Sequence, residues 1–190
     1  GHWTYGGDFF RDRVNSHATR YLADGTLLQR EIQGPVAGRA TYDLAGLYLE
    51  RHLRGPGGMH LVAGGRLSQA SADARDVRDP RSGRAIQLRE KWRSAVGAAR
   101  AVLPLREDGR RNLFAGISQA FRAPNLSDLT RFDIAEGGQI ETPAPGLAPE
   151  HATAFEAGWR VRERTWSAEV ALFHTDLRRQ IIRTPTGARV

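Results

Sequence analysis

The six histidines are the side chains best suited to bind a metal ion or to transfer protons, but their spacing supports neither role. No two of them stand at the spacing of a metal-ligand pair, and none lies beside a cluster of carboxylates. They are His2, His17, His52, His60, His151 and His174. Cysteine is absent, which excludes thiolate metal sites and cysteine nucleophiles. We therefore expect no bound metal ion and no cofactor.

Ser118 lies in a segment that partly matches the nucleophile turn of serine hydrolases. The segment Gly116-Ile117-Ser118-Gln119-Ala120 lacks the second glycine of that motif. It also lies inside a predicted strand, whereas the motif requires a turn between a strand and a helix. We expect no enzymatic activity.

Arginine and aromatic residues in the long polar segments point to a different chemistry, the recognition of an anionic ligand. An arginine guanidinium binds carboxylate or phosphate groups with two parallel hydrogen bonds. The best candidates for ligand contact are Tyr21, Arg30, Arg131, Phe132 and Asp133. The alternative is that these residues form a solvated loop surface.

The positive net charge does not indicate a nucleic-acid partner. The chain has 28 basic and 21 acidic residues, a formal charge of +7. Lys91 is the one lysine, and the arginines are scattered along the whole chain instead of lying in one patch. We expect no nucleic acid to bind.

Size and composition are those of a folded domain. The 190 residues are 40% apolar and 26% charged, which is ordinary for a globular chain. No stretch approaches the roughly 18 consecutive apolar residues of a membrane-spanning helix. A helical membrane protein is therefore excluded.

Alternating apolar and polar residues predict antiparallel strands with negligible helix. The clearest alternation covers residues 152–162 and continues in residues 166–172. Further strands are predicted at residues 3–13, 40–53, 59–70, 87–105 and 112–122. The seven strands form an up-and-down meander.

The last two strands are close enough to form a hairpin with a two-residue turn at Glu163 and Arg164. That turn pairs Val161 with Trp166 and Phe155 with Leu172, so that the apolar faces of the two strands coincide. The shared face carries Phe155, Trp159, Val161, Trp166, Val170 and Leu172.

Short and long connections between the strands are expected to alternate. Residues 54–58, 106–111 and 163–164 are short turns, whereas residues 14–39, 71–86 and 123–151 are long, polar loops. An antiparallel meander with all its tight turns at one end and its long loops at the other is typical of a transmembrane β-barrel. Because bacterial barrels close with an even number of strands, seven strands predict a fragment of a larger barrel.

Three motifs in the second half of the chain then suggest a family. The strand at residues 112–122 ends in Phe121-Arg122-Ala123-Pro124, a long loop leads to Leu147-Ala148-Pro149-Glu150, and the next strand carries Glu156-Ala157-Gly158. In this order and at these spacings the chain resembles the barrel region of TonB-dependent outer-membrane receptors. Residues 5–12 and 62–67 are similar to segments that precede these motifs, so the resemblance covers nearly the whole chain.

The resemblance implies an active-transport receptor in the outer membrane of a Gram-negative bacterium. Such receptors form a 22-strand barrel around an N-terminal plug and take up scarce nutrients such as ferric siderophores, haem or cobalamin. TonB supplies the energy through the plug, and lipid and lipopolysaccharide surround the barrel. Residues 1–190 would be a partial barrel domain of about seven strands, without the plug or the C-terminal strands.

The residues of these motifs also have structural roles that follow from their chemistry alone. Pro124 cannot donate a hydrogen bond to a sheet and ends its strand, which leaves Arg122 as a charge at the rim or in the lumen. Glu156, Arg160, Arg162 and Glu169 are expected to share a polar face and to pair with one another.

The alternative is a soluble all-β module that recognises saccharide or protein through long loops. It requires Trp159, Val161, Trp166, Val170 and Leu172 to be buried against a second sheet or a helix.

Overall fold

The computed structural model describes residues 1–134 and 140–184. In chain order the strands are β1 (His2–Val14), β2 (Thr19–Tyr21), β3 (Leu27–Arg30), β4 (Gly38–Arg54), β5 (His60–Arg78), β6 (Ala85–Pro104), β7 (Arg111–Arg122), β8 (Asp133–Ile134), β9 (Ile140–Glu141), β10 (Glu150–Arg162) and β11 (Ser167–Arg178). Helix α1 (Leu126–Thr130) follows β7, and Pro56–Gly58 form a 3₁₀ turn. Strands take up 65% of the described residues and helices 4%, so the predicted all-β class is confirmed.

The long strands form one antiparallel sheet in the order β1-β4-β5-β6-β7-β10-β11. Each strand therefore pairs with the long strand before it, as the predicted meander requires. The short strands pair as β2–β3 and β8–β9 within two of the connections. No helix in the described ranges is both long and apolar enough to cross a membrane.

The strand register defines two faces of the sheet. Val14 pairs with Ala40, Ala40 with Ala74, and Ala70 with Trp92, so even-numbered residues of these strands share one face. We call it the packed face, because helix α1 lies against it. The opposite side, the open face, carries odd-numbered residues through β10 and even-numbered residues of β11.

The hydrophobic core lies on the packed face at the loop end of the strands. Small strand residues and Leu126 and Leu129 of α1 belong to the same buried cluster. The strand residues of the core are Ala40, Ala70, Ala72, Ala74, Val77, Leu88 and Trp92. Leu129 is fully buried, as are Ala70 and Ala74 beneath the helix. Burial of these side chains fixes the loop end of an otherwise single-layered sheet.

The open face carries a continuous belt of exposed apolar side chains. Leu47 and Leu67 pair across β4 and β5 and are 66% and 63% exposed. Val170 and Leu172 of β11 are 60% and 77% exposed. We call this region the apolar belt: Tyr5, Leu47, Leu49, Leu61, Leu67, Ala95, Leu103, Leu113, Ile117, Phe155, Trp159, Val170 and Leu172.

The exposure of the apolar belt does not fit the alternative of a soluble all-β module. Trp159, Trp166, Val170 and Leu172 all remain exposed, whereas that alternative requires them to be buried; Val161 alone of the set is buried, at 1%.

The β10–β11 hairpin keeps the predicted faces but turns one residue later than predicted. Glu163 N donates to Trp166 O at 2.8 Å, which places the two-residue turn at Arg164 and Thr165. Val161 therefore pairs with Ala168, and not with Trp166 as predicted. The register shifts by two residues, so each side chain stays on its predicted face.

The predicted long loop at residues 71–86 is wrong. β5 continues to Arg78, and six residues, 79–84, connect it to β6. The segment looks like a loop because its open-face residues are polar and its packed-face residues are small alanines beneath α1. A bulge between Ala74 and Val77 also breaks the two-residue period.

Candidate functional site

Arg122, the last residue of β7, links both ends of the connection that follows it. Its Nη2 lies 2.7 Å from Asp128 Oδ2, and its Nη1 lies 3.3 Å from Glu150 Oε2. Asp128 belongs to α1, and Glu150 is the first residue of β10. Two family motifs that are distant in sequence thus meet in one ion-pair cluster.

Helix α1 begins immediately after the Phe121–Pro124 motif because a capping box forms there. The Asn125 side chain accepts a hydrogen bond from Asp128 N at 2.9 Å, and the Asp128 carboxylate accepts one from Asn125 N at 3.0 Å. This reciprocal pair satisfies backbone donors at the start of the helix. Ala123 and Pro124 are buried, and Phe121 packs against the core with its ring 5.6 Å from that of His151.

A buried glutamine and a buried threonine attach the first long loop to α1. Gln33 Nε2 donates to Thr130 O at 2.8 Å, and Gln33 Oε1 accepts from Arg78 N at 2.7 Å. Thr130 Oγ1 accepts from Ala37 N at 3.0 Å and donates to Leu126 O. The sequence analysis did not identify Gln33 or Thr130, because isolated polar residues in polar loops carry no pattern.

The Leu147–Glu150 motif is attached to β6. Trp92 Nε1 donates to Leu147 O at 3.1 Å, and Glu90 Oε1 accepts from Gly146 N at 3.0 Å. Leu147 packs against the core, and Glu150 Oε1 accepts from Ile181 N at 2.7 Å. Pro149 lies between these two anchored residues. We call the assembly of residues 31–37, α1 and residues 144–150 on the packed face the loop cluster.

Two of the predicted ligand-contacting residues are engaged within the protein. The Phe132 ring lies under the Arg78 guanidinium at 4.7 Å, and Phe132 N donates to Pro35 O. Arg131 forms ion pairs with Glu141 at 2.5 Å and with Asp133 at 3.7 Å. These residues hold loops together, and their side chains are not presented freely to a ligand.

Tyr21 and Arg30 instead lie on an exposed hairpin formed by β2 and β3. Both are exposed, and they line a depression of about 460 Å³ together with His17, Thr19, Leu27 and Glu31. At the hairpin tip, the backbone N–H of Thr26 lowers the pKa of Asp24 and holds the turn. Glu31, at the base, pairs with Arg20 and with Arg78. The hairpin is therefore attached to β5 at its base and exposes both side chains to solvent.

The Glu156–Gly158 motif belongs to the wall of the sheet. Arg160 lies 2.5 Å from Glu169, as predicted, whereas Glu156 lies 3.8 Å from Arg100, which was not in the predicted set. Gly158 pairs directly with Phe114, whose ring occupies the space that a Cβ atom would need.

Asp8 and Arg66 extend this polar wall to the other half of the sheet. The Arg66 guanidinium reaches over Gly46 and binds both Asp8 oxygens, at 2.7 and 2.8 Å. The mid-sheet packed face is thus polar, while the open face at the same level is apolar.

No group of three or more histidine or acidic side chains in the described ranges is arranged to hold a metal ion.

Comparison with known proteins agrees with this architecture. A family described as "TonB dependent receptor-like, beta-barrel" matches residues 1–190. A comparison with curated proteins finds no match.

Two solved structures are similar in fold. One is the copper transporter OprC, with a TM-score of 0.68 and 17% identity over 90% of this chain. The other is the Serratia marcescens hemophore receptor HasR, a double mutant in complex with its hemophore HasA and heme, with a TM-score of 0.67 and 18% identity over 92% of this chain. The chain spans 27% of the length of the first and 30% of the second. The family match over all 190 residues shows that the chain belongs to the TonB-dependent receptors, and the antiparallel meander fits their β-barrel domain.

Proposed function

We propose that these residues belong to an outer-membrane receptor that takes up a scarce nutrient, such as a ferric siderophore, haem or cobalamin, with energy from TonB. One observation supports the proposal most strongly: the open face of the sheet is apolar, and the packed face is polar at mid-sheet and bears anchored loops at one end. A sheet with two such faces fits the wall of a transmembrane barrel, whose outer surface contacts lipid and whose interior is aqueous.

The two faces orient the sheet in the proposed membrane. Leu47, Leu67 and Val170 on the open face contact lipid, and the loop cluster faces the outside of the cell. Asp8 and Arg66 then line the lumen, where a paired charge is compatible with water. Lipid and lipopolysaccharide are the surroundings of the barrel in this arrangement.

We infer that β1 and β11 pair with further strands of a 22-strand barrel. An unpaired strand edge in hydrocarbon leaves backbone groups without partners, at a cost of several kcal/mol per group. The plug that contacts TonB and the C-terminal strands are, on this proposal, supplied by other parts of a longer polypeptide, which we call the full receptor.

The substrate class rests on the exposed hairpin and on the named relatives. Tyr21 and Arg30 offer stacking and charge-assisted hydrogen bonds to a chelate with anionic groups. The two similar structures are those of a copper transporter and of a hemophore receptor in complex with its hemophore and heme. A metal bound in a chelate would fit both the residues and these relatives.

An uptake experiment tests the proposal. Cells that express the full receptor are offered ferric siderophores, haem, cobalamin and copper in turn, with and without functional TonB. Uptake of one of them that requires both the receptor and TonB supports the proposal, and receptor-independent uptake of all four contradicts it. A receptor in which Tyr21 and Arg30 are replaced by alanine should bind that nutrient more weakly, whereas alanine at the exposed Gln87 of β6, on the open face of the sheet, should not.

A further inference from the structure

Basic residues gather on the open face at the loop end of the strands. Register places Arg13 level with Asp73 and Arg89, Arg11 level with Asp43 and Lys91, and Phe9 level with Gln69 and Arg93. Arg75 lies two residues beyond Asp73 on the same strand. We call the six basic residues the cationic band: Arg11, Arg13, Arg75, Arg89, Lys91 and Arg93.

The cationic band carries more positive charge than its neighbours neutralise. Arg11 pairs with Asp43 at 2.7 Å, and Arg89 pairs with Asp73 at 3.0 Å. Arg13, Arg75, Lys91 and Arg93 form no ion pair with any described carboxylate, although Arg93 Nε donates to Gln69. Six basic residues against two carboxylates leave an excess of four positive charges on a face that turns away from the loop cluster.

The cationic band borders the apolar belt directly. The row after Ala45, Gln69 and Arg93 consists of Leu47, Leu67 and Ala95. Successive rows on one face of a strand are about 7 Å apart. Beside the band, a depression of about 590 Å³ is lined by Arg11, Arg13, Asp43, Asp73 and Arg75. Cations, a concave surface and an apolar surface thus follow one another along the same strands.

A cationic surface next to an apolar one fits a ligand that carries both phosphate groups and acyl chains. Guanidinium groups bind phosphate oxygens with paired hydrogen bonds, and the apolar belt accommodates acyl chains. The cations occupy four successive rows, about 21 Å from first to last, which exceeds the reach of a single phosphate. A soluble chelate would make no use of the adjoining belt.

We propose that the cationic band binds the phosphates of a phosphorylated glycolipid of the lipid A type, whose acyl chains lie on the apolar belt. The inference rests on the proposed membrane location of the open face, and it assigns particular residues to the lipid contact. Arg13, Arg75, Lys91 and Arg93 supply the unneutralised charge, while Arg11 and Arg89 are held in place by Asp43 and Asp73.

Binding of defined lipids to the purified full receptor tests the proposal. The probes are lipid A with both phosphates and the same lipid after removal of its phosphates, with affinity measured by native mass spectrometry in detergent. The unmodified receptor should prefer the phosphorylated lipid by at least about tenfold, since each basic side chain contributes to attraction of an anionic lipid. Equal affinity for the two lipids would overturn the proposal, as would displacement of lipid A by inorganic diphosphate at equal concentration.

Matched variants locate the contact. Replacing Arg13, Arg75 and Lys91 together with glutamine should weaken binding of phosphorylated lipid A by about tenfold to 100-fold. The control replaces Arg54, Arg106 and Arg164, three exposed arginines at the turn end, and should leave the affinity unchanged. Equal losses in both variants would refute the assignment to the band. Because the comparison of the two lipids uses the unmodified receptor, the test stands even if a variant folds poorly.

The uptake experiment keeps the two proposals apart. If the receptor transports its nutrient but binds both lipids equally, the proposed function is supported and the lipid-binding proposal is contradicted. If the receptor does not insert into the outer membrane, both proposals are contradicted.

Discussion

Gln33 and Thr130, 97 residues apart in the chain, are joined by a buried hydrogen bond of 2.8 Å from the Gln33 amide to the Thr130 carbonyl oxygen. Gln33 is 3% exposed and Thr130 is fully buried. The same glutamine accepts a hydrogen bond from Arg78 N in β5. One side chain therefore connects the first long loop, the end of α1 and the sheet.

Replacing Gln33 with alanine should loosen the loop cluster. The change leaves Thr130 O and Arg78 N without their partner, at a cost of about 1–3 kcal/mol. Hydrogen exchange of residues 31–37 and 126–131 in the full receptor should become faster. Gln29→Ala, on the exposed strand β3, is the control and should leave that exchange unchanged. Unchanged exchange in Gln33→Ala would show that the hydrogen bonds do not hold the cluster.

The strands were predicted from alternating apolar and polar residues, which are clearest at residues 152–162 and 166–172. The β10–β11 hairpin shows how far that reasoning extends. Alternation along each strand, with a two-residue turn between the strands, is enough to place Trp159 and Val170 on the same face. That face assignment stays correct although the turn begins one residue later than predicted. The turn position itself depends on the hydrogen bond between Glu163 and Trp166, which no pattern reveals.

The loop cluster could not be predicted in the same way. Ala70, Ala72 and Ala74 are buried in the same cluster as Leu126 and Leu129 of α1, and alanine by itself does not signal a buried strand. The motif residue Arg122 was identified, but its two partners depend on how the chain returns. Arg131 and Phe132 were predicted to contact a ligand, and in the structure their side chains form contacts between loops.

Gly158 should tolerate no larger residue, because the Phe114 ring and the Val170 carbonyl occupy the space of a Cβ atom. Gly158→Ala in the full receptor should reduce the free energy of unfolding from lipid vesicles by about 1–3 kcal/mol, as expected of overpacking. Gly65→Ala is a matched control, since a Cβ atom there meets only Val96 O at 3.5 Å. The measurement is urea-induced unfolding from vesicles. Equal stability of the two variants would show that Phe114 moves aside without cost.

The six-residue connection at residues 79–84 should respond to acid. The Ser82 hydroxyl and the backbone N–H of Arg81 lower the pKa of Asp79. Because the folded-state pKa is depressed, the stabilisation is present above the ordinary aspartate pKa of about 3.9 and is lost as pH falls through the folded-state value. The Ser82 amide chemical shift should titrate with a midpoint below about 3.9. Asp79→Asn should abolish that titration, and a midpoint at or above the ordinary value would contradict the assigned hydrogen bonds.

An arginine on the open face should impair insertion of the barrel. Val170→Arg in the full receptor should cost about 2–4 kcal/mol of folding free energy if residue 170 lies near the bilayer midplane, and less near an interface. Ala171→Arg is the control, because residue 171 is on the opposite face and a charge there meets water in the lumen. Folding into lipid vesicles is measured for both. Equal losses would show that the two residues do not lie on different sides of the membrane-spanning wall.

Thiol labelling along β4 and β5 tests the central claim, that the open face lies in lipid, most directly. The chain contains no cysteine, so single cysteines can be introduced into this segment one at a time. Leu47→Cys and Leu67→Cys lie on the open face, and Tyr48→Cys and Ser68→Cys lie on the packed face. In outer membranes that contain the full receptor, the first pair should react with a lipid-soluble maleimide and resist a charged one, and the second pair should react with the charged reagent. Equal reaction of all four positions with the charged reagent would contradict the account.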